Sequence, residues 1–334
     1  MKSKGRFLEL DALRGIAAII VVIYHYTFIY HLKISPQEFD TYNKFSYGNL
    51  GVELFFILSG FVIFMSLQKV NSPFEFLTKR FIRLYPTYWI AMIFTFLVVS
   101  IFGLTGREVT MNEFLINTTM LQYGLQIPSV DGVYWSLFHE LMFYFLMAAA
   151  FRFVRSKYLI VFSLIWLSIS LANHFYHITG ISLLLNLVYT PLFLGGIYFY
   201  KLTVEEKSRI NIILPVICYL VYFIIVDANI DRIFTERLIV LGFFLMFYLN
   251  AFNALKFIAL KPLIFLGNIS YALYLVHQNL GYIILNKLYA NFGNYQVLIF
   301  IPIVLSIIIA FFITEYLEKP IGKYLRKKNN RFLT

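Results

Sequence analysis

The chain has 334 residues, of which 60% are hydrophobic and 13% charged, with a formal net charge of +11. A soluble domain carries about 45–50% apolar and about 25% charged residues, so a soluble globule, a disordered chain and a disulfide scaffold are excluded. The single cysteine, Cys218, permits no internal disulfide and no thiolate cage, and the basic residues fall in short clusters between apolar runs rather than in a nucleic-acid-binding stripe.

Apolar runs long enough to span a bilayer recur along the whole chain. Ten are predicted, at 8–30, 48–68, 81–103, 134–154, 157–173, 181–200, 211–227, 236–253, 263–286 and 296–317. The expected fold class is all-α, a polytopic integral membrane protein of about ten transmembrane helices. Lys and Arg set the orientation. With the N-terminus in the cytoplasm, Lys2, Lys4 and Arg6, then Lys79, Arg80 and Arg83, then the tail from Lys319 to Arg331, all fall inside. The outer segments hold only Lys33, Lys44, Arg107, Arg232, Arg237 and Lys287. Both termini are therefore expected in the cytoplasm. The N-terminus looks like a signal peptide but has no small-residue cleavage site, so an uncleaved first span is expected. The longest outer loop, about 104–133, is placed to cover a site.

Ionisable groups inside the apolar runs are the informative ones, because they are costly in hydrocarbon and face a bundle interior or a wet cavity. In the first span Arg14 and His25 lie eleven residues apart, which returns to nearly the same helix face after a rise of roughly 16 Å. One stripe then carries a cation near the cytoplasmic side and an imidazole near the outer side. Arg14 also suits snorkelling to lipid phosphate, and His25 a hydrogen-bonded packing role. In the second run Glu53 follows Gly51 near the outer end. Arg80 and Arg83 open the third run at i, i+3, where they serve either as positive-inside anchors or as a phosphate clamp extended by Arg14. The fourth run begins Tyr134-Trp135-Ser136-Leu137-Phe138-His139-Glu140. Its Glu140 is expected at a depth similar to that of His25, where a carboxylate would orient an imidazole and stabilise its protonated form. His139 projects elsewhere and reads as packing. His277 lies mid-way along the ninth run. There is no GxxxxGK[ST], HExxH or GxSxG motif, which argues against an ATP-driven pump, a zinc protease and a rhomboid-like serine protease.

Five stretches in this order resemble the membrane acyltransferase-3 family, O-acyltransferases of bacterial surface polysaccharides. They are Leu10-Asp11-Ala12-Leu13-Arg14-Gly15 with His25 eleven residues after the Arg; Gly51-Val52-Glu53-Leu54-Phe55-Phe56-Ile57-Leu58-Ser59-Gly60-Phe61; Arg80-Phe81-Ile82-Arg83-Leu84-Tyr85-Pro86; Trp135-Ser136-Leu137-Phe138-His139-Glu140; and Ser270-Tyr271-Ala272-Leu273-Tyr274-Leu275-Val276-His277. The resemblance covers nearly the whole chain as a single transmembrane acyltransferase domain, 1–334. Glu53 stands where the family often has Asp, and His139 and Leu141 where many members have other residues. The fused soluble esterase-like domain of larger members is not expected here.

The resemblance implies a cytoplasmic acyl-CoA donor, usually acetyl-CoA. It implies a sugar hydroxyl on a lipid-linked or exported glycan, such as O-antigen or exopolysaccharide, as acceptor. It also implies residence in the bacterial inner membrane. Arg14, Arg80 and Arg83 would bind the CoA phosphates. His25 would act as general base or as an acyl-carrying nucleophile, with Glu140 fixing its tautomer. Tyr134, Trp135, Ser136, Glu53 and His277 would bind the acceptor or support the site. No metal and no nucleic-acid partner are expected. Two rivals stay open: a glycan or acyl transporter using His25 and Glu140 as a proton relay, and a non-catalytic scaffold.

Overall fold

The computed structural model describes residues 6–35, 43–205, 207–226, 230–293 and 296–332. Among them every regular element is helical. The principal helices are α1 (Leu8–Lys33), α2 (Phe45–Leu67), α3 (Pro73–Phe102), α4 (Met111–Asn117), α5 (Trp135–Ala149), α6 (Leu159–Tyr176), α7 (Thr190–Tyr200), α8 (Arg209–Ile225), α9 (Ile230–Ala251), α10 (Lys261–Phe292) and α11 (Gln296–Lys328). Lys2 and Lys4, and residue 227 at the predicted end of one span, lie outside the described residues.

Six of these helices are long and apolar enough to cross a membrane: α1, α2, α3, α6, α9 and α11. With 17 residues, α8 is a shorter apolar helix. Three predicted spans take another form. The run at 134–154 holds α5, only 15 residues, and a separate short helix at Phe151–Val154. The run at 181–200 is interrupted. A short helix at Thr179–Leu184 gives way to Asn186, whose φ is +55°, and α7 restarts at Thr190 with Pro191 in its first turn. Asn tolerates the left-handed region and Pro suits a helix start, so both residues punctuate an otherwise apolar stretch. The run at 263–286 lies within α10, a 32-residue helix whose stretch Gly267–Leu285 is almost wholly buried. Its polar residues His277, Gln278 and Asn279 thus meet protein rather than lipid.

The chain divides into two compact units. Unit one takes residues 1–14, 50–78 and 139–264, and unit two takes 15–49, 79–138 and 265–334.

In unit one α7 is buried at every residue. It meets α2 backbone to backbone: a Cβ on Gly60 would stand 2.0 Å from the Phe193 carbonyl oxygen, and one on Gly196 would stand 2.1 Å from that of Ile57. Small residues permit such close approach where lipid removes the hydrophobic drive between helices and dispersion holds them. Aromatic rings fill the flanks, with Phe143 stacked on Phe193 at 4.1 Å and Phe199 on Phe247 at 5.1 Å.

In unit two the centre is α10. The Tyr26 ring of α1 lies on Gly281, where a Cβ would stand 2.0 Å from a ring atom. Tyr26 OH donates to the His277 carbonyl at 2.6 Å and lies 2.9 Å from Ser306 Oγ of α11, so one phenol ties three helices. The segment between α3 and α5 is ordered by its own polar residues. A capping box of Thr110 and Glu113 starts α4. Asn117 Nδ2 donates to the Glu113 and Pro128 carbonyls at 2.8 and 2.9 Å, its Oδ1 accepts from the Val130 N–H at 3.1 Å, and its own carbonyl accepts from Tyr88 OH at 2.7 Å.

Candidate active site

The regular turns of α1 change at His25. Residues His25–Ile29 form a π-helical turn in which the Tyr30 N–H reaches back five residues to the His25 carbonyl. Such turns are frequent at functional sites because the inserted residue re-aims the side chains. Arg14 lies on the α-helical stretch Leu8–Tyr24, and His25 is the first residue of the π-helical turn that follows it.

His25 faces His277. His277 Nε2 lies 3.1 Å from His25 Nδ1, and the ring centroids are 4.9 Å apart. Backbone carbonyls back both rings. His25 Nδ1 lies 2.8 Å from the Val21 oxygen, and His277 Nδ1 lies 2.8 Å from the Tyr274 oxygen and 3.1 Å from that of Leu273. A carbonyl only accepts, so each Nδ1 carries a proton in the neutral pair. His277 Nε2 is then an acceptor, and the His25 Nδ1–H is shared between it and Val21. This tautomer assignment leaves His25 Nε2 with a free lone pair.

Around the pair, the chain from Val130 to Ser136 is laced to α10. Ser136 Oγ lies 2.6 Å from Tyr274 OH, which donates to the Val133 carbonyl at 3.0 Å. Tyr134 OH donates to the Leu275 carbonyl at 3.2 Å. Asp131 accepts from the Asn279 and Val133 N–H groups at 3.1 and 3.2 Å, and Asn279 Nδ2 donates to the Val130 carbonyl at 2.9 Å. Asp131 is wholly buried, and that burial pushes its carboxyl up to about 7 against these bonds and the Arg107 cation. The Arg107 guanidinium sits 5.8 Å over the Tyr282 ring. Trp135 lies 6.2 Å from the Tyr123 ring.

Arg80 and Arg83 share the N-terminal part of α3 in unit two. Arg83 pairs with Glu318 of α11 and sits 5.7 Å over the Tyr271 ring, whose hydroxyl donates to the Leu84 carbonyl at 3.1 Å. Arg14 belongs to unit one, 3.8 Å from Asp11. Glu140 also belongs to unit one, and its Oε1 accepts from Tyr144 OH at 2.6 Å and Ser59 Oγ at 3.2 Å. Within unit two, the side chain that meets Nδ1 of His25 is His277. Glu53 is half-buried in α2, with one carboxylate oxygen lacking a hydrogen bond. His139 packs as expected, 2.8 Å from Asn186 Oδ1 and against the Tyr189 ring.

Sequence reasoning missed Asp131, Arg107, Tyr274, Gln278 and Asn279. The signal that would have found two of them is the unbroken polar run His277-Gln278-Asn279 inside an apolar helix.

The model of the acyltransferase-3 family, described as an acyltransferase domain, matches residues 7–315. The chain belongs to this family. Among curated proteins it is 28% identical to "Putative acetyltransferase ORF330" of Acidianus two-tailed virus, over 79% of this chain and 80% of that protein. It is 24% identical to the O-acetyltransferase OatA of Staphylococcus aureus (strain MRSA252) over 97% of this chain, and spans 59% of OatA's length. A shorter stretch, 26% of the chain, is 39% identical to protein 2 in the picA locus of Rhizobium radiobacter. No solved structure matches the chain. Family membership makes the chain an acyltransferase, and with its apolar helices marks it as a multi-pass membrane protein.

Proposed function

We propose that the chain is a membrane O-acetyltransferase that moves an acetyl group from cytoplasmic acetyl-CoA to a hydroxyl of a lipid-linked or surface glycan. It crosses the bacterial inner membrane about ten times, with both termini in the cytoplasm. The observation that carries the reading is the His25 imidazole. It is one of the few titratable groups in the apolar runs, and its Nδ1 is engaged while its Nε2 keeps a lone pair. In the proposed reaction Nε2 removes the acceptor hydroxyl proton as that oxygen attacks the thioester carbonyl. The same proton then returns to the departing CoA thiolate. Arg14, Arg80 and Arg83 hold the CoA phosphates, for which guanidinium geometry is suited. Glu140 stays in the proposal as a second acid–base group, on the ground of its motif. Tyr134, Trp135 and Ser136 support the acceptor side with Glu53.

The test uses purified protein in nanodiscs, reading acetyl-CoA binding and CoA release. His25→Ala should bind acetyl-CoA as the wild type does while release falls by about 10²–10⁴-fold, the usual contribution of a general base. Glu140→Gln should also bind and turn over slowly. Wild-type turnover by His25→Ala would overturn the assignment.

A further inference from the structure

The proposed reaction needs a base at the acceptor hydroxyl, and His25 supplies it. His277 is the second imidazole in direct contact with it, buried completely in α10, and the reaction as written gives it no task. We propose that His277 is a positioning residue that takes over the proton charge of the transition state through His25. The inference rests on His25 being the base and assigns the role of its partner.

The geometry lays out a one-way hydrogen-bond chain. His25 Nδ1–H points to His277 Nε2 at 3.1 Å, and His277 Nδ1–H points to the carbonyls of Tyr274 and Leu273. When His25 Nε2 accepts the hydroxyl proton, His25 becomes an imidazolium and its Nδ1–H becomes a stronger donor. That proton shifts to His277 Nε2. His25 is then neutral with its proton on Nε2, and His277 carries the charge with both nitrogens protonated. The charge rests on a ring whose Nδ1–H is held by two carbonyl oxygens, those of Tyr274 and Leu273. When the tetrahedral intermediate expels the thiolate, the transfer reverses. His277 Nε2–H returns its proton to His25 Nδ1, and His25 Nε2–H protonates the CoA sulfur. No proton is gained or lost over the cycle.

One further observation fits this task. The backbone of α10 at His277 is held in place from outside: Tyr26 OH donates to the His277 carbonyl, and Gly281 admits the Tyr26 ring. This fixes the His277 ring against His25 to within a hydrogen-bond length.

His277→Gln separates holding from relaying. A Gln amide can donate to the Tyr274 carbonyl and accept from His25 Nδ1–H, but it cannot take a second proton. Single-turnover acetyl transfer from acetyl-CoA to the acceptor in the host's own membranes, read by rapid quench, isolates the chemical step. The variant should bind acetyl-CoA normally and lose about 10²-fold in the transfer rate, the low end of a general base's contribution. Its rate in mixtures of light and heavy water should fall on a straight line, one proton in flight, where the wild type gives a bowed line for two. A wild-type rate in His277→Gln overturns the proposal, as does a straight line in the wild type, which needs no variant to fold. His25→Ala at the wild-type rate would instead remove the base assignment beneath it.

Discussion

Arg83 lies against Glu318 and over Tyr271, where a free guanidinium would be expected in an empty phosphate clamp. Should Arg83 hold a CoA phosphate, as proposed, donor and Glu318 would compete for one guanidinium. Glu318→Gln should therefore tighten acetyl-CoA binding in calorimetry. Arg83→Ala should weaken it by about 10–100-fold, because one charge-assisted hydrogen bond is worth about 1.5–3 kcal/mol. Equal affinity in all three proteins would remove Arg83 from the clamp. His25, Arg83 and Glu140 were legible as candidates in the sequence because each is an ionisable group inside an apolar run, where hydrocarbon makes every such residue costly. The partner of His25 was not. Depth along a helix can be counted from residue number, but that α10 brings His277 beside α1 cannot.

The crossing of α2 with α7 rests on two glycines, each facing the other helix's backbone. Gly196→Ala would put a methyl 2.1 Å from the Ile57 oxygen and 2.7 Å from the Phe61 nitrogen, atoms that move only if the helices part. The cost should reach or exceed about 1–3 kcal/mol, the range for overpacking, read as a lowered melting temperature in detergent. Adding Gly60→Ala should cost less than its single effect, since the first methyl has already separated the helices; strict additivity would argue against a shared contact. The Asp131 turn gives the second test at this scale. Its carboxyl is raised to about 7 by burial, so the folded protein holds a proton that the unfolded chain, with an ordinary carboxylate, releases near 3.8. This contribution to stability falls as pH rises from about 4 to about 7 and is level above. The wild type should lose melting temperature across that window relative to Asp131→Asn; a constant difference would contradict the assignment. Element type and most boundaries were legible from apolar run length. The break at Asn186 was not, because Leu183 to Val188 reads as continuous apolar sequence until the left-handed φ of Asn186 is seen.

At the scale of the whole chain, composition alone gave a multi-pass membrane protein, because 60% hydrophobic content over 334 residues leaves no soluble alternative. The number of crossings is less legible, since α5, α7 and α10 are short, interrupted or polar, and a helix packed inside a bundle need not be apolar to the degree a lipid-facing one must. The division into two units was not legible at all. Its boundaries at Arg14, Asn49, Thr78, Phe138 and Ile264 fall within helices α1, α2, α3, α5 and α10, where no change of composition marks them. The five motifs are likewise distributed between both units. In the proposed reaction acetyl groups leave acetyl-CoA and end as esters on a glycan. The direct measurement supplies carbon-14-labelled acetyl-CoA to membranes whose cytoplasmic face is accessible and follows label and free CoA together. The account predicts alkali-labile ester label in the glycan fraction, appearing in step with free CoA and lost in His25→Ala. Glycan or acyl movement across the membrane with no CoA released and no ester label would contradict it and make the chain a transporter.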